Sequence, residues 1–83
     1  MPTIAIVPTL HREAGYAFRF RASDRGETPH VHVDGNGGDA KFWLADARPQ
    51  KSAGYNRRQL LQIRRIVEVH ADEFEARWRD YFD

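Results

Sequence analysis

The sequence predicts a small α+β domain, an antiparallel sheet of three to four strands packed on one long C-terminal amphipathic helix. Three observations carry this expectation. Before Gly54 the chain consists of short segments that alternate apolar and polar residues, separated by Gly, Pro, Asn and Asp. After Gly54 it runs to its last residue without Gly or Pro. In that run the apolar residues recur at steps of three and four. With 83 residues, a single domain over 1–83 is expected. Its core is small, because a chain of this size buries roughly 60–65% of its unfolded surface.

Thr3–Val7 is a short β-rich run ended by Pro8 and is expected as the first strand. Tyr16–Ala22 alternates: Tyr16, Phe18 and Phe20 face one way, Ala17, Arg19 and Arg21 the other. Ser23-Asp24-Arg25-Gly26 has turn chemistry. His30–Asp34 alternates again, with Val31 and Val33 opposite His30, His32 and Asp34. Gly35-Asn36-Gly37-Gly38 suits a hairpin turn with positive φ. In Ala40–Leu44 the residues Ala40, Phe42 and Leu44 lie opposite Lys41 and Trp43. Ala45–Tyr55 reads as a loop. Asn56-Arg57-Arg58-Gln59 fits a capping box, with Gln three residues after an N-cap side chain. From there Leu60, Ile63, Val67, His70, Phe74, Trp78 and Tyr81 form one stripe, so one helix to about Phe82 is expected. Asp72–Glu75 could cap a second helix, but the stripe keeps its phase across that point.

Composition narrows the chemistry. There are no cysteines, which excludes a disulfide scaffold, a cysteine zinc site, an iron–sulfur cluster and a thiol nucleophile. The longest apolar run, Ile4–Val7, is too short to span a bilayer or to serve as a signal-peptide core. A mature cytoplasmic protein with no membrane partner is therefore expected. Ser23 and Ser52 lie in turn and loop sequence, without the nucleophile elbow of a Ser-His-Asp hydrolase. Gly35–Gly38 leads into a strand and not a helix, so it lacks the context of a phosphate-binding loop.

Met1-Pro2-Thr3-Ile4, Pro29-His30-Val31-His32-Val33, Ala40-Lys41-Phe42-Trp43-Leu44, Gly54-Tyr55 and Trp78-Arg79-Asp80-Tyr81-Phe82 occur in this order. Together they resemble the bacterial family catalogued as domain of unknown function 4160, over nearly the whole chain. The Pro-His-Val-His-Val and Ala-Lys-Phe-Trp-Leu motifs carry most of the likeness. Pro8–Ala14 departs from it, being longer than the family's usual link between its first two strands. Members of that family are often encoded beside a second small protein. The resemblance therefore implies a cognate partner and a toxin–antitoxin-like pair. It implies no activity and no catalytic residue.

The residues themselves point to the polar sheet face. Period-2 logic gathers Arg19, Arg21, His30, His32, Asp34, Lys41 and Trp43 there. His30 and His32 sit roughly 6–7 Å apart at Cα on one strand. The leading expectation is binding of, or action on, RNA or DNA. Arg19, Arg21 and Lys41 would meet phosphates and Trp43 would stack a base. If the protein is an enzyme, a metal-independent ribonuclease is favoured, with His30 and His32 as catalytic acid and base and no cofactor. An alternative is a metal site in which His30 and His32 join Asp34, or Glu27 from the preceding loop, around a divalent ion such as zinc. Another is a non-catalytic interaction module, since Arg and Trp are favoured in protein interfaces. Histidines on an open sheet face are also satisfied by solvent or by a cross-strand hydrogen bond, with no further role.

The net charge is only +1, but 11 of the 13 basic residues are Arg, and they are unevenly placed. Arg57, Arg58, Arg64 and Arg65 load the first half of the helix, with no acid before Glu68. Cations at a helix N-terminus oppose its dipole. Arg57 and Arg58 are accordingly candidates for nucleic-acid binding, beside the plainer role of Arg as a good helix former. The second half is acidic. His70, on the apolar stripe, is expected at the core or its edge. His11, in the link, carries no signal. Trp78, Tyr81 and Phe82 are expected to close the helix onto the sheet, or else to form a patch for a homo-oligomer or a partner.

Overall fold

A computed structural model describes residues 9–82. The strand expected at Thr3–Val7 lies outside the described residues. The fold is the expected α+β arrangement, with five antiparallel strands where three to four were counted. The strands are β1 (Thr9–Glu13), β2 (Tyr16–Arg19), β3 (His30–Gly35), β4 (Gly38–Trp43) and β5 (Pro49–Ala53), followed by the helix α1 (Arg57–Phe82). They pair in chain order as an open meander, β1-β2-β3-β4-β5. Among the described residues no helix is long and apolar enough to cross a membrane.

The two additional strands are the edges. β5 is exposed along its whole length and has no apolar periodicity, so it pairs through its backbone alone. Pro49 is tolerated there because an edge strand has one unpaired side. β1 carries one apolar residue, Leu10, and its register with β2 shifts between Thr9 and His11. Beyond the shift His11 lies opposite Phe18 and Glu13 opposite Tyr16, which puts both on the helix side of the sheet.

Two tight turns hold the meander. Ala14-Gly15 and Asn36-Gly37 both take positive φ, the two-residue hairpin geometry that matches strand twist. The Asn36 amide donates to the Ala14 carbonyl at 2.9 Å, tying one turn to the other. Gly35 needs its missing side chain: at φ +111°, a Cβ would fall 2.2 Å from the Gly15 carbonyl oxygen. Tyr55 closes the far side, its hydroxyl lying 2.8 Å from the Gly35 carbonyl and 3.0 Å from that of Gly38.

The capping box forms as expected. Asn56 Oδ1 accepts from the Gln59 N–H at 2.8 Å, and Gln59 Oε1 accepts from the Asn56 N–H at 2.9 Å. α1 then runs 26 residues without a break at Asp72. At 1.5 Å per residue it is about 39 Å long. Its buried stripe is Ile63, Ile66, Val67, Phe74, Trp78 and Phe82, wider than the expected one by Ile66 and Phe82. Leu60 and Tyr81 flank it. The stripe covers the sheet face made by Tyr16, Phe18, Phe20, Val31, Val33, Ala40, Phe42 and Leu44.

The sheet's other face departs from expectation. β2 ends at Arg19, and after Phe20 and Arg21 the chain enters a 3-10 turn at Ala22–Asp24. Arg21 is therefore not a strand residue. It stands in extended conformation as the N-cap of the turn, with its side chain exposed. The Arg25 guanidinium donates to the Phe82 carbonyl at 2.8 Å and lies over the Phe82 ring, which anchors the turn to the end of α1. A cation suits that helix terminus.

Candidate functional site

Strand register brings most of the anticipated residues together. Arg19, His32 and Lys41 form one cross-strand row, and His30 lies opposite Trp43. Exposure is what differs. The histidines do not stand in solvent. His30 is 0% exposed and His32 8%, and Asp24 (3%) closes over them from the 3-10 turn. The burial is local: Trp78 from α1 packs its ring 5.2 Å from His30, and the two imidazoles meet edge to face at 4.9 Å.

The carboxylate at the histidines is Asp24. Asp34, the ligand anticipated from the strand pattern, instead takes Arg19 at 3.2 Å. Glu27 takes Lys41 at 3.1 Å and stands 4.0 Å from Nδ1 of His30. Lys41 also lies 5.6 Å from the half-buried Trp43 ring. Two of the anticipated phosphate contacts, Arg19 and Lys41, are thus already partnered by acids. Among the described residues Arg57 and Arg58 have no ion pair, and both are exposed. With Leu61, Gln62 and Arg65 they line an open surface groove of about 560 Å³, whose lining includes neither His30 nor His32.

Asp24 was legible only as a turn residue. Turn chemistry and a carboxylate aimed at a strand look the same in sequence, because the aim depends on how the turn folds back. Here it folds back through local hydrogen bonds. The Asp24 N–H donates to the Arg21 carbonyl at 2.9 Å, and the Arg21 N–H donates to Asp24 Oδ2 at 2.8 Å. Burial raises the Asp24 carboxyl. The Arg21 N–H, the His32 hydrogen bond and the two imidazoles outweigh that and hold it below the usual carboxylate range.

The three side chains converge on one point. His30 Nε2 lies 3.3 Å from His32 Nε2 and 3.1 Å from Asp24 Oδ1. His32 Nε2 lies 3.2 Å from Asp24 Oδ1 and 3.1 Å from Oδ2. In a tetrahedral zinc site with bonds of about 2.0–2.2 Å, donor atoms lie about 3.3–3.6 Å apart. The triangle is slightly tighter than one face of such a site, and small outward shifts of the three side chains would match it.

Proton counting leads to the same point. His30 Nδ1 is 2.9 Å from the Thr28 carbonyl, which only accepts, so Nδ1 carries the proton. Nε2 of a neutral His30 is then a lone pair, aimed at a carboxylate oxygen and at another imidazole nitrogen. His32 is held neutral to lower pH than usual, because burial outweighs the attraction of Asp24. It supplies at most one Nε2–H to this group of acceptors. A cation, a proton or a metal ion, is required to balance them. The Thr28 contact also provides the outer hydrogen bond that typically orients a metal-ligating imidazole.

The fold and the site together define a small α+β protein with a buried cluster of two imidazoles and one carboxylate beneath a 3-10 turn. By sequence the chain belongs to the family described as Domain of unknown function (DUF4160), whose model matches residues 15–79. That span includes Asp24, His30 and His32. No curated protein and no solved structure matches the chain significantly.

Proposed function

We propose that the protein binds one transition-metal ion, zinc by donor type, through Asp24, His30 and His32. The carrying observation is the triangle of donor atoms with edges of 3.1–3.3 Å, which gathers two imidazole nitrogens and a carboxylate around one point that a cation would balance. Two neutral imidazoles and a carboxylate suit zinc and its borderline neighbours better than calcium or magnesium. Such an ion would pin the turn to β3. It would leave a fourth position for water, and His32 is the member nearest solvent, with 11% of its side chain exposed. Burial of His30 takes support away from metal-free cleavage of an outside phosphodiester, because general acid–base catalysis needs hydrogen-bond reach to the substrate.

The test is a titration of metal-free protein with zinc, followed by cobalt, whose visible spectrum reports tetrahedral ligation. One ion is expected at this cluster, and Asp24→Asn should bind one ion fewer than wild type. A wild-type protein whose melting temperature and spectrum ignore both metals would overturn the proposal.

A second reading retains an anionic partner and moves it from the sheet to the helix. It rests on exposed Arg57 and Arg58, which have no ion pair among the described residues and line a groove with Arg65. As one component of a toxin–antitoxin-like pair, the protein would hold nucleic acid along this surface. Single-stranded RNA binding should weaken steeply with salt and drop in Arg57→Glu/Arg58→Glu. Salt-independent binding, or none, would dismiss this reading.

A further inference from the structure

We propose a second metal site, at His11, Glu13 and His70, where the edge strand β1 meets α1. It rests on residues separate from the buried cluster. The three side chains offer donor atoms that all lie within 4.8 Å of one another. His11 and Glu13 are two apart on β1 and so share the helix-facing side, while His70 comes from the opposing face of α1. Because β1 is the sheet edge, the helix covers the cluster only partly: His11, Glu13 and His70 keep 25%, 48% and 22% of their side-chain exposure.

The imidazoles are held in place. His70 stacks on Phe74 at 5.6 Å between ring centroids, 21° from parallel. His11 packs 4.1 Å from His70 and 5.9 Å from Phe18. Glu73, one turn on, lies 3.3 Å from His70 Nδ1 and accepts its proton there. The other nitrogen of a neutral His70 is then a lone pair, and it faces the Glu13 carboxylate at 3.6 Å. That pair of acceptors is a place where a cation would be favoured. His11 Nε2, 2.8 Å from the same Glu13 oxygen, completes the set. A neutral His11 would ligate through Nε2 with its proton on Nδ1. The long Glu13 side chain supplies the adjustment that closes the triangle. The ligand class is again a borderline divalent ion, zinc, nickel or copper. Here it enters from solvent and bridges β1 to α1.

The experiment uses the full chain and zinc alone, with stoichiometry read by calorimetry and β1 protection by amide hydrogen exchange. Two zinc ions per chain are expected in wild type and one in Glu13→Gln, whose change lies at an exposed position. One is also expected in Asp24→Asn, with the β1 site retained. At free zinc 100 times the dissociation constant, exchange at the β1 amides that open locally should slow about 100-fold, and not in Glu13→Gln. His70→Gln should reproduce Glu13→Gln if it folds. Equal stoichiometry and equal β1 exchange in wild type and Glu13→Gln would overturn the proposal. Loss of binding only in Asp24→Asn would overturn it while upholding the buried site, and the converse result would do the reverse.

Discussion

Two clusters in this molecule use the same chemistry, two imidazoles and a carboxylate, in opposite surroundings. Asp24, His30 and His32 lie under a turn, with side chains 5%, 0% and 11% exposed. His11, Glu13 and His70 straddle the rim of the sheet and remain open to water. Burial changes what the same groups cost. In the interior, an unbalanced lone pair or carboxylate has no water to turn to, so each partner is needed for the others to be buried at all. At the rim, water supplies whatever the partners do not. The buried cluster should therefore be part of the fold, and the rim cluster an addition to it.

The sharpest way to break this contrast is to remove one carboxylate from each. Asp24→Ala strips the turn of its cap and leaves the Arg21 N–H and the His32 Nε2–H without their acceptor. Metal-free protein should lose about 2–4 kcal/mol in urea denaturation. Glu13→Ala should leave the urea midpoint unchanged within error. Equal effects would erase the distinction. Zinc supplies the next test. At 100 times the dissociation constant of the buried site, zinc should stabilise wild type by about 2.7 kcal/mol, and a chelator should reverse this. Asp24→Asn should lose that increment, and Glu13→Gln should keep it.

The smallest test asks whether burial acts alike on a group with no cation near it. Burial, first, and the neighbouring Tyr16 and acids raise the Tyr55 phenol to about 12. The folded protein then holds this proton after the unfolded chain, titrating near 10, has released it. The stability this contributes is complete below about pH 10 and is lost as pH rises toward about 12. Tyr55→Phe should flatten that alkaline slope while leaving both zinc equilibria alone. An unchanged slope would show that Tyr55 does not carry it.

How far the site was legible varied residue by residue. His30 and His32 stood out, because two histidines at i and i+2 on an alternating strand share a face. Their cross-strand neighbours Arg19, Lys41 and Trp43 were placed by the same parity, and the pairing of β2, β3 and β4 bears that out. Asp24 was not singled out. Its distance from the histidines is set by a 3-10 turn that doubles back, and no periodicity describes such a turn. Arg21 leaves the strand face because β2 stops at Arg19, two residues before the alternation in the sequence does. His11 and His70 could not be connected from sequence, since their meeting depends on how the helix crosses the sheet and on the register shift in β1. The edge strands β1 and β5 were missed for a simpler reason: they bury little side chain, and burial is what writes a pattern into sequence.

The sequence by itself determined the α+β class, the three central strands, the Asn-Gly turn and the capped helix. Each rests on local forces, namely side-chain parity, positive-φ tolerance and capping hydrogen bonds. Tertiary structure alone decided which polar groups would be taken out of water. It brought Asp24 over His30 and His32, gave Asp34 and Glu27 to Arg19 and Lys41, and left Arg57 and Arg58 exposed, without an ion pair among the described residues. The reason is physical. Desolvation and charge pairing depend on distances between segments far apart in the chain, and those distances exist only once the sheet, the turn and the helix have packed.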